Sequence, residues 1–332
     1  MTYLVLRFST LGNVAMTVPV IASASVMHPD DEFIVVAKKR LSAMYYGLPN
    51  VRFHEAELTD FMGIVRLYRE LKRYPIDAII DLQKVPQTWF LRLLFRWHGK
   101  KTYCVRYGRW IKHLITVCGI HLSHRLPTEF ERYAQTFRRA GIETDDHFAA
   151  LAINQEAQRA VYEQFGEKQG KWIGIAPFAK SKSNMLPYRI TKEVIAHLSE
   201  NPDTRLFLFG AGQIECEMLR QWASVFPHTT SVAGCLPLEQ ELELMRRLDC
   251  MVCMDSANQH LSSLVGLRAI SVWCATHPIL GFTGWKQHPE DIVQLNQIAC
   301  RPCTCHGTNY CRYHNFVCRN ISTEQIIKRI YE

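Results

Sequence analysis

Seven short apolar runs, spaced widely enough for a helix between most neighbours, constrain this chain more than anything else in its sequence. They read TYLVLRF, FIVVAKK, DAIIDL, WIGIAPF, RLFLFGAG, DCMVCMDS and AISVWCAT. Strands alternating with helical stretches predict an α/β chain of parallel sheets flanked by helices. In such sheets ligands bind outside the carboxyl ends of the strands, so the loops that follow strands are where function is sought. A chain of 332 residues exceeds the size at which one core keeps growing, and with 48% hydrophobic residues it can build two. The polar stretch from Asn154 to Lys171, with Gly166 and Gly170, ends just before the strand at Trp172 and reads as the interdomain region.

Of the strand-end loops, the one after Asp249–Met254 says most. The strand runs into Asp255-Ser256-Ala257-Asn258, and a helical pattern follows with Leu261, Leu264 and Val265 on one face. Unpaired N–H groups and the positive end of the helix dipole can hold a diphosphate there, with the Ser256 hydroxyl and His260, one turn in, adding donors. An ordinary N-cap would use the same residue types. Two further loops are of this kind. Pro177–Pro187 is polar and basic and precedes a helix beginning near Thr191, while Gly210-Ala211-Gly212 is either a turn a nucleotide can approach or simple turn punctuation.

Neither a long apolar run nor a signal-like segment is present, and TYLVLRF reads directly as a buried strand, so a cytoplasmic protein is expected. Twelve cysteines in a reducing compartment are then buried thiols or metal ligands. The net charge of +8 is uneven. From Arg92 to Arg125 the chain carries Arg92, Arg96, Lys100, Lys101, Arg106, Arg109, Lys112 and Arg125 among Trp89, Phe90, Phe95, Trp97, Tyr103, Tyr107 and Trp110, with no acidic residue. Such a stretch is either a solvated basic face or a surface for something anionic: nucleic acid, an anionic membrane or a phosphorylated glycolipid. No nucleic-acid module accompanies it, so nucleic acid is not expected as a partner.

Near the end, Cys300, Cys303, Cys305, Cys311 and Cys318 lie close together with His306 and His314 between them. Cys300, Cys303, Cys311 and Cys318 can make a structural tetrahedral zinc site, although the second pair is too widely spaced for a standard ribbon. A labile disulfide pair and packed thiols are the alternatives. The closing ISTEQIIKRIYE has a Ser or Thr cap followed by apolar residues at helical spacing.

In this order and at these spacings, several segments together resemble glycosyltransferase family 9, the ADP-heptose:lipopolysaccharide heptosyltransferases. They are the opening LVLRFSTLGNVAMTVPV, Ala176-Pro177-Phe178-Ala179, MDSANQHLSSLVG, WCATHPILGFTGW and the tail from CRPC. The resemblance implies a GT-B fold of two Rossmann-like domains facing across a cleft. An acceptor-side domain would span 1–165 and a nucleotide-sugar domain with the Cys-rich tail 166–320, with a final helix, 321–332, packing back on the first domain. It further implies inverting transfer of a heptose-type sugar from a nucleotide diphosphate, ADP-heptose by family majority, to an anionic glycolipid, the lipid A or core oligosaccharide of lipopolysaccharide, at the inner membrane surface. A carboxylate would take the acceptor proton, and the second domain would stabilise the departing diphosphate. No metal is required, in keeping with the absence of an Asp-X-Asp pair. The donor contacts implied are Lys180, Lys182, Asn184, Gly210, Gly212, Asp255, Ser256, Ala257 and His260; those to acceptor are Thr10, Gly12, Arg106 and Arg109.

The chain departs from the family pattern at three places. Leu11-Gly12-Asn13 stands where the family reads Leu-Gly-Asp, and an amide in the base position cannot accept the proton. Asn184 replaces a lysine three residues before Pro187, and Asp81-Leu82-Gln83-Lys84-Val85 replaces Asp-Leu-His-Asp-Val. Asp81 and Glu129 are substitute carboxylates. The rival to an active transferase is therefore a relative that binds nucleotide sugar, or a partner transferase, as an assembly or regulatory subunit.

Overall fold

The computed structural model of the chain describes residues 1–57, 60–118 and 124–332, without the side chains of Phe61 and Arg109. By its internal contacts the chain divides into two compact units, Met1–Tyr107 with Pro127–Ile153, and Gly108–Leu126 with Asn154–Glu332.

The first unit is built on β1 (Thr2–Leu6), β2 (Glu32–Ala37), β3 (Val51–Glu55), β4 (Ala78–Asp81) and β5 (Lys101–Cys104), in the order β3-β2-β1-β4-β5. All of its ladders are parallel. Its helices are α1 (Leu11–Ala15), α2 (Val18–Met27), α3 (Phe61–Leu71), α4 (Pro86–Trp97) and α6 (Glu129–Arg139); α5 (Arg109–Cys118) precedes α6 in the chain but groups with the second unit. The apolar residues of β1 do not alternate with polar ones because both sheet faces are covered. Leu4, Leu6, Ile34 and Val36 share a core with Ile64 and Leu67 of α3 and Leu91 and Phe95 of α4. From the other side Phe33 meets Phe137 of α6 at 6.2 Å between ring centroids.

The second unit carries β6 (Lys171–Ala176), β7 (Thr204–Leu208), β8 (Thr229–Ser231), β9 (Cys250–Met254), β10 (Ala269–Trp273) and β11 (Ile292–Gln294), ordered β11-β10-β9-β6-β7-β8 and again all parallel. Its helices are α7 (Gln155–Phe165), α8 (Tyr188–Ser199), α9 (Gln213–Val225), α10 (Leu238–Arg247), α11 (Ala257–Leu264) and α12 (Thr323–Tyr331). In both sheets the chain winds outward from the first strand and then returns to its other side. This puts a topological switch point between β1 and β4 and another between β6 and β9, the place where such sheets hold ligands.

All seven apolar runs are strands. The strands without such a run, β3, β5, β8 and β11, are the four sheet edges, where burial is partial and the hydrophobic signal correspondingly thin.

The domain expectations need three corrections. Residues 154–171 are not a linker, since α7 packs on α10 and buries Val161 and Phe165 in the second unit. The segment 108–126 groups with the second unit, where Ile115 and Leu126 form a small core with Leu280. The final helix groups with the second unit: α12 packs on α8, and its Ile326 and Ile330 enter the core with Ile195 and Leu198. Its apolar face is satisfied by the nearest exposed helix of its own unit, and the Ser322–Gln325 capping box starts it there. Ile326→Ala should therefore cost about 2–4 kcal/mol of second-unit stability through the cavity it leaves, seen as a lower urea midpoint with folded-state circular dichroism unchanged.

Candidate functional site

At the second switch point, β6 and β9 run side by side in the register Ala176↔Cys253, and the chain leaving β9 turns at once into α11. Asp255 stands in that turn and points inward. Its Oδ2 accepts from Thr276 Oγ1 at 2.7 Å and from Asn184 Nδ2 at 3.3 Å, and its Oδ1 accepts from Gln259 Nε2 at 3.1 Å. One carboxylate thus joins the loops after β6, β9 and β10 to the first turn of α11. Burial pushes Asp255 up to about 6, against the Thr276 and Gln259 hydrogen bonds that pull it down. Asn184 is itself buried and spent on this bond. A lysine in its place would put a cation against the carboxylate and lower that pKa.

The start of α11 is otherwise open. Ser256 is its N-cap residue, extended at φ −149°, yet its side chain caps nothing, and its buried Oγ has no partner. Ala257 begins the helix. Nδ1 of His260 is likewise buried and unpartnered, and burial holds this imidazole down to about 4, so it is neutral near pH 7 and brings a hydrogen bond rather than a charge. The Gly210–Gly212 turn differs. Gly212 takes φ +85°, but Glu215 in the first turn of α9 accepts the Ala211 N–H at 3.0 Å, so a carboxylate already occupies that helix start. The turn also lies at the end of β7, one strand away from the switch point.

The Cys-rich tail is stitched onto the loop after β6. Ser183 N–H donates to the Thr308 carbonyl at 3.0 Å, Thr308 N–H donates to Ser183 Oγ at 2.8 Å, and Lys182 N–H reaches Asn309 Oδ1 at 3.1 Å. Gly307, at φ +89°, lies so close that a Cβ there would meet Asn184 Oδ1 at 2.8 Å. Arg301 is buried and donates to the carbonyls of Thr276 and Leu295 and to Gln294, fastening the loop after β10 to the tail. Lys180 and Lys182 are exposed beside this assembly, with Lys182 Nζ 5.5 Å from the Phe316 ring centroid. A cavity of about 700 Å³ opens between the tail and α5, lined in part by His277, Cys300, Cys303, Tyr310 and Arg312. Cys300, Cys303, Cys311 and Cys318, the possible zinc set, lie within electrostatic reach of one another. Among the described residues no group of three or more His, Cys, Asp or Glu side chains is placed to hold a metal ion, and the tail cysteines are free thiols. Backbone and arginine hydrogen bonds hold the tail.

In the first unit the switch point is organised by a buried cation. Arg7, at the end of β1, donates from Nη1 to the Leu82 carbonyl at 2.6 Å and to Tyr107 Oη at 2.5 Å, and from Nε to the Asn13 carbonyl at 3.3 Å. Its guanidinium carbon lies 5.6 Å from the Tyr133 ring centroid. The loops after β1 and β4 are thereby tied together. Asn13 is half-buried on α1, and its Nδ2 donates to Ser9 Oγ at 2.9 Å. Thr10 is the exposed N-cap of α1, without a side-chain cap bond, and Gly12 is buried in that helix. Arg106 is exposed, while the side chain of Arg109 lies outside the described residues. The substitute carboxylates are both buried. Asp81 pairs with Arg92 at 2.9 Å and accepts the N–H groups of Gln83 and Lys84, and Glu129 lies 3.9 Å from Arg132. Nor is the basic stretch one surface. Arg92 is spent on Asp81, and Lys112 is buried with its Nζ 3.8 Å from the Phe282 ring centroid.

The family model for glycosyltransferase family 9 (heptosyltransferase) matches residues 64–314, spanning the second switch point and the tail. The chain belongs to that family. Among curated proteins, the lipopolysaccharide core heptosyltransferase OpsX of Haemophilus influenzae is 21% identical over 282 residues, 83% of this chain and 79% of that protein. The fold matches a family 9 glycosyl transferase from Veillonella parvula (TM-score 0.75, 16% identity, 99% of this chain and 96% of that one). It also matches E. coli ADP-heptose LPS heptosyltransferase II (TM-score 0.73, 15% identity, 100% and 98%). The fold is thus that of the GT-B heptosyltransferases, two parallel-sheet α/β units.

In this family 9 member Gln259, Arg301, Gly307 and Thr308 support the site without having stood out in the sequence. Gln259 had a signal, four residues after Asp255 in the first turn of the helix that follows it; the tail residues had none, because only folding sets them against the loop after β6. Asp255 gives a pH test. A carboxylate raised in the folded state from an unfolded value near 3.8 to about 6 favours folding below the lower value, and that contribution is lost as pH rises through the higher one. The stability of Asp255→Asn minus that of the parent chain should therefore climb between about pH 4 and pH 6 in urea titrations.

Proposed function

We propose that the chain is an inverting, metal-independent transferase that moves a heptose-type sugar from a nucleotide diphosphate, ADP-heptose before others, to the anionic core or lipid A of lipopolysaccharide. The observation that carries this reading is the uncapped start of α11 at the second switch point, with the Ser256 hydroxyl buried and unpartnered. Helix-start N–H groups and a free hydroxyl are what a departing diphosphate needs. Two relatives agree with the donor and acceptor classes. OpsX is named for lipopolysaccharide core, and E. coli heptosyltransferase WaaC was solved with ADP-2-deoxy-2-fluoro heptose.

In this reading the acceptor oxygen attacks the anomeric carbon from the face opposite the leaving group. The bond from that carbon to the diphosphate oxygen breaks, the leaving diphosphate keeps the electron pair and its charge is met by N–H groups around Ala257, by Ser256 Oγ and by Lys180 and Lys182, while the acceptor proton passes to water because the Asn13 amide cannot take it. Asp255 and Asn184 act as positioning residues that hold the three loops, and His260 offers a neutral hydrogen bond from one turn in. Gly210 and Gly212 are left to the nucleoside, since Glu215 already fills their helix start. On the acceptor side Thr10, Gly12, Arg106 and Arg109 remain the proposed contacts, around Asn13 in the base position.

A second reading, a relative impaired in transfer that serves as an assembly or regulatory subunit, is favoured by Asn13. Its amide donates to Ser9, and both substitute carboxylates are buried among other partners.

Calorimetric titration with ADP, UDP and GDP and their sugar conjugates tests the donor site. One nucleotide should bind selectively, and Ser256→Ala should weaken it about tenfold, the effect of one hydrogen bond; no binding by any of them would sink the transferase reading and leave the assembly one. Asn13→Asp separates the two. A gain of roughly 10²–10⁴ in transfer identifies a base lost by substitution, the reverse of the usual cost of removing one, whereas an unchanged rate in an already active protein puts the proton path elsewhere.

A further inference from the structure

Helix α4 presents an apolar row that the first unit does not use. Leu91 and Phe95 face the core, while Trp89, Leu93 and Trp97, spaced four residues apart along the opposite side, are 56%, 38% and 84% exposed. Large side chains in such a row on the surface of a folded unit mark a contact rather than random exposure. The row is bordered by basic residues. Arg96 and Lys101 are exposed and Lys100 half-exposed, and no acidic residue occurs between Asp81 and Glu129. The neighbouring helix α3 adds exposed Arg66 and Arg69.

We infer that this face of α4 seats the protein on a bilayer that carries anionic lipid. Tryptophan suits the headgroup boundary because its ring is apolar and its N–H is polar, leucine enters the acyl region beside it, and arginine and lysine stems reach back to phosphate. A second copy of this chain is the poorer occupant, since it would bring one basic face onto another. The inference extends the proposed glycolipid acceptor, which lies in such a bilayer, but it stands on residues of the first unit distinct from those of the donor site.

Co-sedimentation of the full chain with vesicles of phosphatidylcholine alone, and of phosphatidylcholine mixed with phosphatidylglycerol, tests it. The expected result is binding to the mixed vesicles at least about tenfold tighter than to the neutral ones, weakened by salt. The doubly substituted Trp89→Gln, Trp97→Gln chain should lose about tenfold of that affinity and keep its melting temperature, because both rings are exposed. Arg96→Glu should reduce the preference for phosphatidylglycerol. Binding equal in parent and variants would overturn the proposal, as would no vesicle binding by the parent. If the parent instead dimerises in gel filtration and the tryptophan variant does not, the face docks a second copy and the proposal also fails. Nucleotide titration of the same variants keeps the two readings apart. Vesicle binding that fails while nucleotide binding persists removes only the membrane inference, and the converse removes only the donor site.

Discussion

A single half-buried carboxylate organises the loops at the second unit's switch point. A charge taken from water is tolerated only when hydrogen bonds replace the lost hydration, and Asp255 collects those bonds from Asn184, Thr276 and Gln259. Each partner comes from a different segment, so satisfying the carboxylate fixes the relative positions of the loops after β6, β9 and β10. Because Asp255 faces inward, it leaves the start of α11 without a carboxylate cap. At the neighbouring α9 the opposite choice is made, and Glu215 closes that helix start. The difference between a helix end that can receive an anion and one that cannot rests here on where one carboxylate points.

The first unit solves the same topological problem with the opposite charge. Arg7 is buried at the end of β1, and its five-donor fork reaches carbonyls of the loops after β1 and β4 together with Tyr107. Asn13 therefore sits on a short helix whose backbone is held by a cation. An amide at such a position cannot take a proton, while the backbone around it is held independently of its side chain.

The tail is fastened by residues other than its cysteines. Five closely spaced cysteines suggested metal or disulfide chemistry, yet the segment is held by Arg301, by Thr308 against Ser183, and by Arg319 against the Met185 and Leu186 carbonyls. Gly307 permits the close approach, since any side chain there would strike Ser181 and Asn184. The tail thereby becomes the outer wall of the loop that carries Lys180 and Lys182.

The sequence by itself determined the α/β class and the central strands of both sheets. Strands covered on both faces must be continuously apolar, and the residues that end them must be small or polar. It also disclosed the departures at Asn13 and Asn184, because these are matters of side-chain type. Edge strands escaped, since partial burial leaves little hydrophobic signal, and so did the membership of α5, α7 and α12 in the second unit, which depends on which apolar faces meet. Only the tertiary structure decided that Asp255 points inward, that Arg92 and Lys112 are spent on internal partners, and that Trp89 and Trp97 are not. Sequence spacing fixes which residues share an element; the direction a charge or a ring faces is set by partners that lie far away along the chain.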